Sequence, residues 1–225
     1  MRLAARIETL TWLLAVVAGL AALLVVRAPV EWTPRRLAGI AGILLVQFVV
    51  MLVARFGPTR WVGRAWSGPV FAVGTVFAAI YLAVLLAQWA WRWQTPVNVL
   101  VLFVLAAGIG GLIRYRADRR VQASALAGAW TLLIGTAWWS LGWLAVNLVT
   151  WGSSTWFAFW EAEAFWADFQ RSGTTDVGAY ILEDLTGALI FHPVLSVVIG
   201  FVVGALVATA AHVVPRRSSR GPHVP

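Results

Sequence analysis

The chain contains no cysteine and no lysine. The first absence excludes disulfides, thiolate metal sites, iron–sulfur clusters and cysteine nucleophiles. The second leaves arginine as the source of all seventeen cations and excludes a Schiff-base lysine, and with it a retinal protein of the usual kind. Charge of either sign is scarce. Only 12% of the residues are charged and 61% are hydrophobic, against about 25% and 45–50% in ordinary soluble domains, so a water-soluble fold is excluded. Histidine is nearly absent as well. His192 and His212 fall in one apolar stretch, about 30 Å apart if helical, and His223 lies in the tail. No pair can ligate one iron, so no haem is expected and no other cofactor is identifiable. No HExxH, phosphate-cradling glycine loop or nucleophile elbow occurs; Gly152-Ser153-Ser154-Thr155 is not one. The expectation is a chain that is not an enzyme, with no metal site.

What is present is apolar sequence in runs long enough to cross hydrocarbon, with a mean hydropathy of +0.83. Six segments meet the length test: 9–26, 37–54, 69–91, 97–113, 123–149 and 187–214. The expected fold is therefore all-α, a polytopic six-helix transmembrane bundle forming a single domain over 1–214. The first run reads as a retained span instead of a cleaved signal peptide, because Arg27 follows it directly and no small-x-small site ends it. Short connections carry the arginines. Twelve lie on the side of both termini and five on the other, which by the positive-inside rule places both termini in the cytoplasm of a cell inner membrane. The basic, Pro- and Ser-containing tail 215–225 reads as disordered and able to touch anionic lipid. The net charge of +8 is thus orientation, and no nucleic-acid partner is implied. No Asp, Glu or Arg falls at the centre of any span, which argues against an ion-driven carrier with a buried carboxylate.

Small residues indicate how the spans pack. Ser196, Gly200, Gly204 and Ala208 recur every four residues in the last span, and Ala127, Thr131 and Gly135 do so in the fifth. Such stripes let helices approach closely, within one bundle or at a seam between copies or partner membrane subunits.

Fifteen tryptophans are the strongest compositional oddity. Those near span ends suit the headgroup zone. Trp139 and Trp143 fall deeper in the fifth span, where an indole N–H needs a partner or faces a cavity. The long outer loop 150–186 adds Trp156, Trp160 and Trp166 with Glu161 and Glu163, and holds six of the nine acids. Read as an aromatic helix or re-entrant segment, 155–170 carries rings around its whole circumference. Either this is interfacial packing, or Trp139, Trp143, Trp156, Trp160, Glu161, Glu163 and Trp166 form an aromatic and acidic receptacle for a cation or organic amine. Glu183, Asp184 and His192 form a candidate ion or pH site.

The order of an aromatic element between spans five and six, then Thr174-Thr175-Asp176-Val177-Gly178, then a glycine-bearing last span is similar to the pore-loop cation channels. That resemblance implies a filter at Thr174, Thr175, Val177 and Gly178 whose carbonyls replace the ion's hydration shell. Asp176 interrupts the Thr-Val-Gly succession, and a second filter glycine is missing after Gly178. In size and span count the chain also looks like the substrate-binding subunits of energy-coupled vitamin importers, although no motif carries over. The functional expectation is a membrane transport component or subunit that binds a small solute or cation at its outer face. A non-catalytic scaffold or assembly subunit binding lipid or pigment, and a pore-loop channel, are the alternatives.

Overall fold

The computed structural model describes Val16 and Gly19, together with residues 33–62, 64–91, 99–162 and 165–213. Among these residues there is no strand. In chain order the helices are α1 (Pro34–Trp61), α2 (Arg64–Trp91), α3 (Val99–Asp118), α4 (Val121–Thr150), α5 (Ser154–Ala162), α6 (Phe165–Ser172) and α7 (Val177–Val213). Three of them, over Pro34–Gly57, Val121–Thr150 and Val177–Val213, are long and apolar enough to cross a membrane, and Gly68–Val84 of α2 is a shorter apolar helical stretch. The expected spans 37–54, 69–91 and 123–149 lie within α1, α2 and α4, while 97–113 and 187–214 correspond to α3 and α7. The expected span 9–26 and the tail 215–225 lie outside the described residues, except that Val16 and Gly19 are helical.

Local chemistry sets the helix ends. Thr33 caps α1 by accepting the Arg36 amide on its Oγ1 at 3.3 Å, and Pro34 follows in the first helical position, where its missing N–H costs nothing. Ser153 caps α5 by accepting the Trp156 amide at 3.2 Å. Asp176 caps α7 by accepting the Ala179 amide at 2.9 Å. This last cap moves a boundary: α7 begins at Val177, ten residues before the expected start of the final span, so the loop 150–186 contracts to 151–176 and itself contains α5 and α6. Glu183, Asp184 and Gly187 lower the local hydropathy without breaking the helix, because Asp176 satisfies its first turn. With 37 residues, α7 is about 55 Å long against a hydrocarbon core of about 30 Å, so its first turns extend beyond the apolar stretch. Pro193 lies within it and removes the bond that the Leu189 carbonyl would accept. The expected single segment 155–170 is divided between α5 and α6.

Helix α4 is the centre of the bundle. Gly74 of α2 faces Thr131 and Ile134, Gly110 and Gly111 of α3 face Thr131 and Ser124, and Gly200 and Gly204 of α7 face Gly128, Ala129 and Ser124. On the α1 side, Gln47 donates to the Ala137 carbonyl at 3.1 Å and accepts from Ser140 at 3.0 Å. These contacts put α4 antiparallel to α1, α3 and α7. The stripe Ser196, Gly200, Gly204 and Ala208 is buried, and Gly200 and Gly204 meet α4 backbone to backbone. A Cβ on Gly200 would lie 2.5 Å from the Gly128 carbonyl oxygen and 2.7 Å from the Ala129 Cα. Polar pairs secure the same seam: Ser124 donates to the Gly204 carbonyl at 2.8 Å, and the Thr136 and Ser196 hydroxyls bond at 2.6 Å.

Gly200→Ala therefore forces α4 and α7 apart and lowers stability by about 1–3 kcal/mol, read as a lower thermal midpoint by circular dichroism in mild detergent. Gly187→Ala on the same helix meets nothing within 4 Å and is expected to be neutral or to stabilise by up to about 1 kcal/mol through helix propensity. Equal effects of the two changes would show that the seam is not the constraint.

Candidate functional site

The start of α1, the end of α4, helices α5 and α6 and the start of α7 gather at one end of the bundle. Two arginines from α1 grip that end. Arg35 holds Glu183 in a fork, Nε to Oε1 at 2.5 Å and Nη2 to Oε2 at 2.7 Å, and its Nη1 donates to Thr174 Oγ1 at 2.9 Å. Arg36 holds Asp176 from Nε at 3.0 and 3.1 Å and from Nη2 at 2.8 Å. The Arg36 bonds are the largest reason that the Asp176 carboxyl is held below the ordinary aspartate range, with the Ala179 amide acting in the same direction. Asp176 thus ties two elements at once, receiving a guanidinium from α1 and capping α7.

Beneath this clamp lies an aromatic layer. Tyr81, Trp139 and Trp143 stack nearly parallel, with centroids 5.1 and 5.6 Å apart and interplanar angles of 7° and 18°. Phe77 and Phe103 extend the column on the α2 and α3 side. On the other side Trp143 meets Trp160 at 6.4 Å, Trp160 meets Trp156 at 6.0 Å and Phe165 at 4.8 Å, and Phe165 meets Tyr180 of α7 at 5.3 Å. Trp156, Trp160, Phe165, Trp139 and Trp143 retain only 2, 4, 4, 6 and 8% of their exposure. Rings from α2, α3, α4, α5, α6 and α7 pack against one another in this layer. Trp139 Nε1, Trp156 Nε1 and Asn147 Oδ1 are buried here without a hydrogen-bond partner among the described residues.

The structure brings Trp139, Trp143, Trp156 and Trp160 together, and Trp166 joins at the rim, half-buried and stacked on Phe157 at 6.0 Å. Among the described residues it places no acid with them. Glu161 is exposed, Glu163 lies outside the described residues, and Glu183 is paired with Arg35. Glu183, Asp184 and His192 are not one cluster. Glu183 and Asp184 are exposed, while His192 lies about 13 Å further along α7, donates from Nδ1 to the Ala188 carbonyl at 2.9 Å and meets Trp139 edge-on at 5.2 Å. Thr174, Thr175, Val177 and Gly178 do not form an extended filter. Thr174 receives Arg35, Thr175 is exposed, and Val177 and Gly178 occupy the first turn of α7. The adjoining Asp176 carbonyl accepts the Tyr180 amide at 3.0 Å, so the backbone here serves the helix. Among the described residues no group of three His, Asp or Glu side chains could hold a metal ion.

Sequence reasoning counted Arg35 and Arg36 as orientation signals and missed them as clamps. Two adjacent cations on the side of the acid-rich loop were the available signal. It also missed Tyr81, Phe77, Phe103 and Tyr180, whose spacing within apolar runs resembles that of any core residue.

Comparison with protein-family models, curated proteins and solved structures finds no match.

Because Asp176 has a folded value below its unfolded value of about 3.9, its stabilisation is complete above that value and is lost as pH falls through the folded one. Acid is expected to loosen the α7 cap first, seen as faster amide exchange at Val177–Tyr180 than in the rest of α7. Arg36→Gln removes the main cause and moves this loosening to higher pH; an unchanged profile would show that the pair does not hold the cap. Trp156→Ala empties the best-buried ring of the layer and is expected to cost about 3–5 kcal/mol, whereas Trp138→Ala, at a position 37% exposed, costs less.

Proposed function

We propose that the chain is a non-catalytic membrane subunit with a scaffold or assembly role. The observation that carries this reading is the filled aromatic layer: the side chains best suited to receive a solute pack against one another and support the joint between α4, α5, α6 and α7. The polar groups of the interior point the same way. Gln47, Ser124, Thr136, Ser140 and Ser196 all bond across helix interfaces, as interhelical glue does. The outward face of α7 is apolar, with Ile190, Phe191, Val194, Val198, Phe201 and Val202 exposed. That face suits lipid chains or the helices of partner subunits.

A second reading keeps the outer end as a binder of a small solute or organic cation in a transport complex. One observation favours it: buried Trp139 Nε1, Trp156 Nε1 and Asn147 Oδ1 supply two donors and an acceptor within one ring-lined layer. A localisation in the cell inner membrane with the arginine-rich end in the cytoplasm belongs to both readings.

Native mass spectrometry in mild detergent, paired with tryptophan fluorescence during titration with tetramethylammonium, separates them. The scaffold reading expects release as a homo-oligomer or with partner chains, and no saturable fluorescence change. A lone monomer with a saturable change that Trp139→Phe abolishes would overturn it in favour of the binder.

A further inference from the structure

The opposite end of the bundle holds a feature that neither the aromatic layer nor the clamp explains. The last turn of α1, the last turns of α3 and the start of α4 border an open pocket of about 510 Å3 whose wall includes Trp61, Arg114, Asp118, Arg120 and Gln122, with Leu126 among its apolar residues. Among the described wall residues the charged groups are two cations, Arg114 and Arg120, and one acid, Asp118. Residues 114–120 contain four arginines and one acid. Arg114, with 14% of its side chain exposed, is ion-paired with Asp118, and this pairing orients the guanidinium without cancelling the local excess. Asp118 stands in the last turn of α3, where the helix dipole disfavours an acid, so its presence there is accounted for by what it holds.

The start of α4 adds to the same sign. Arg120 is its N-cap residue and makes no side-chain cap, and the first turn carries no acid. A cation therefore stands at the positive end of a 30-residue helix, the reverse of the usual preference. The chain reaches this point through Arg119, which adopts φ 57°, a left-handed conformation that costs a non-glycine residue about 1–2 kcal/mol. The tight turn keeps Arg114 and Arg120 on one pocket. Guanidinium groups beside a mixed polar and apolar cavity match an oxyanion, carboxylate or phosphate, and the apolar part of the wall beside the exposed Trp61 favours a phosphate at a lipid surface.

We propose that this pocket is a phosphate-binding site formed by Arg114 and Arg120, with Asp118 positioning Arg114. The ligand is the phosphodiester of an anionic phospholipid headgroup or inorganic phosphate. Trp61, 61% exposed at the rim, is placed as an interfacial indole at the headgroup level, and Val62 and Leu126 line the pocket's apolar part. The inference is independent of the scaffold reading, since it needs only this pocket and its charges.

The test uses the purified full chain in neutral detergent and follows the thermal midpoint while phosphatidylglycerol, a diacylglycerol with the same chains, inorganic phosphate, or chloride at matched ionic strength is added. A saturable rise with phosphatidylglycerol beyond that with diacylglycerol, weakened about tenfold or more in Arg120→Glu, supports the lipid source. A rise with inorganic phosphate beyond that with chloride, weakened to the same extent, supports the free ion. Arg120→Gln provides a milder change should the reversal fail to fold, and Arg116→Glu, outside the pocket wall, is expected to leave the response within about twofold. No rise beyond the matched controls, an unaltered response in both Arg120 variants, or equal loss in Arg116→Glu would overturn the site.

Discussion

Gly128 and Gly200 meet across the α4–α7 crossing with no room for a methyl group on either side, and the positions of the remaining helices follow from that approach. In hydrocarbon there is no solvent to drive helices together, so association depends on dispersion at close range and on hydrogen bonds between helices. Gly200 and Gly204 of α7 allow backbone contact with α4, and Ser124, Thr136 and Ser196 add directed bonds along the same seam. With α7 fixed on one side, α4 offers its other faces to α1, α2 and α3. A helix enclosed in this way has no polar face, which is why α4 carries no Asp, Glu, Lys or Arg between Val121 and Thr150.

The same constraint explains the end that bears α5 and α6. Because α7 is about 55 Å long and fixed to α4, its first turns project past the end of the bundle. Apolar residues there need cover from water. The α5–α6 segment supplies it with rings, which give much buried area for little conformational entropy, and the arginines of α1 fasten the projecting turn through Asp176 and Glu183. An aromatic layer and an ionic clamp thus solve one geometrical problem at two depths. Removing the clamp exposes a helix start; removing a ring leaves a void below it.

Legibility from sequence followed the range of the interactions. Helix content, the apolar runs near α1, α4 and α7, and the Ser196-Gly200-Gly204-Ala208 stripe are local patterns, readable because their spacing alone carries the meaning. The start of α7 was misplaced because hydropathy registers Glu183 and Asp184 as the end of a span, whereas the helix persists through a cap at Asp176 and a partner, Arg35, 148 residues away. The receptacle was half legible for a similar reason. Trp139 and Trp143 share a face by helical spacing, but whether Trp160 stands over them or opens a cavity depends on where the chain turns at Gly152, whose φ of 75° needs a glycine. Glu161 falls outside the ring layer because α5 turns that side of itself to solvent.

The two ends of the bundle treat arginine differently, and that difference bears on function more than the total charge does. At the end bearing α5 and α6, the cations on α1 are matched one for one: Arg35 with Glu183 and Arg36 with Asp176. At the other end Arg114, Arg116, Arg119 and Arg120 stand within seven residues with Asp118 as the sole acid among them. Orientation by the positive-inside rule needs only that the charges be present; it does not need them to line a cavity or one of them to sit at a helix cap. A matched end holds the fold closed, whereas an end where four arginines and one acid share seven residues beside a pocket has an anion as its natural complement.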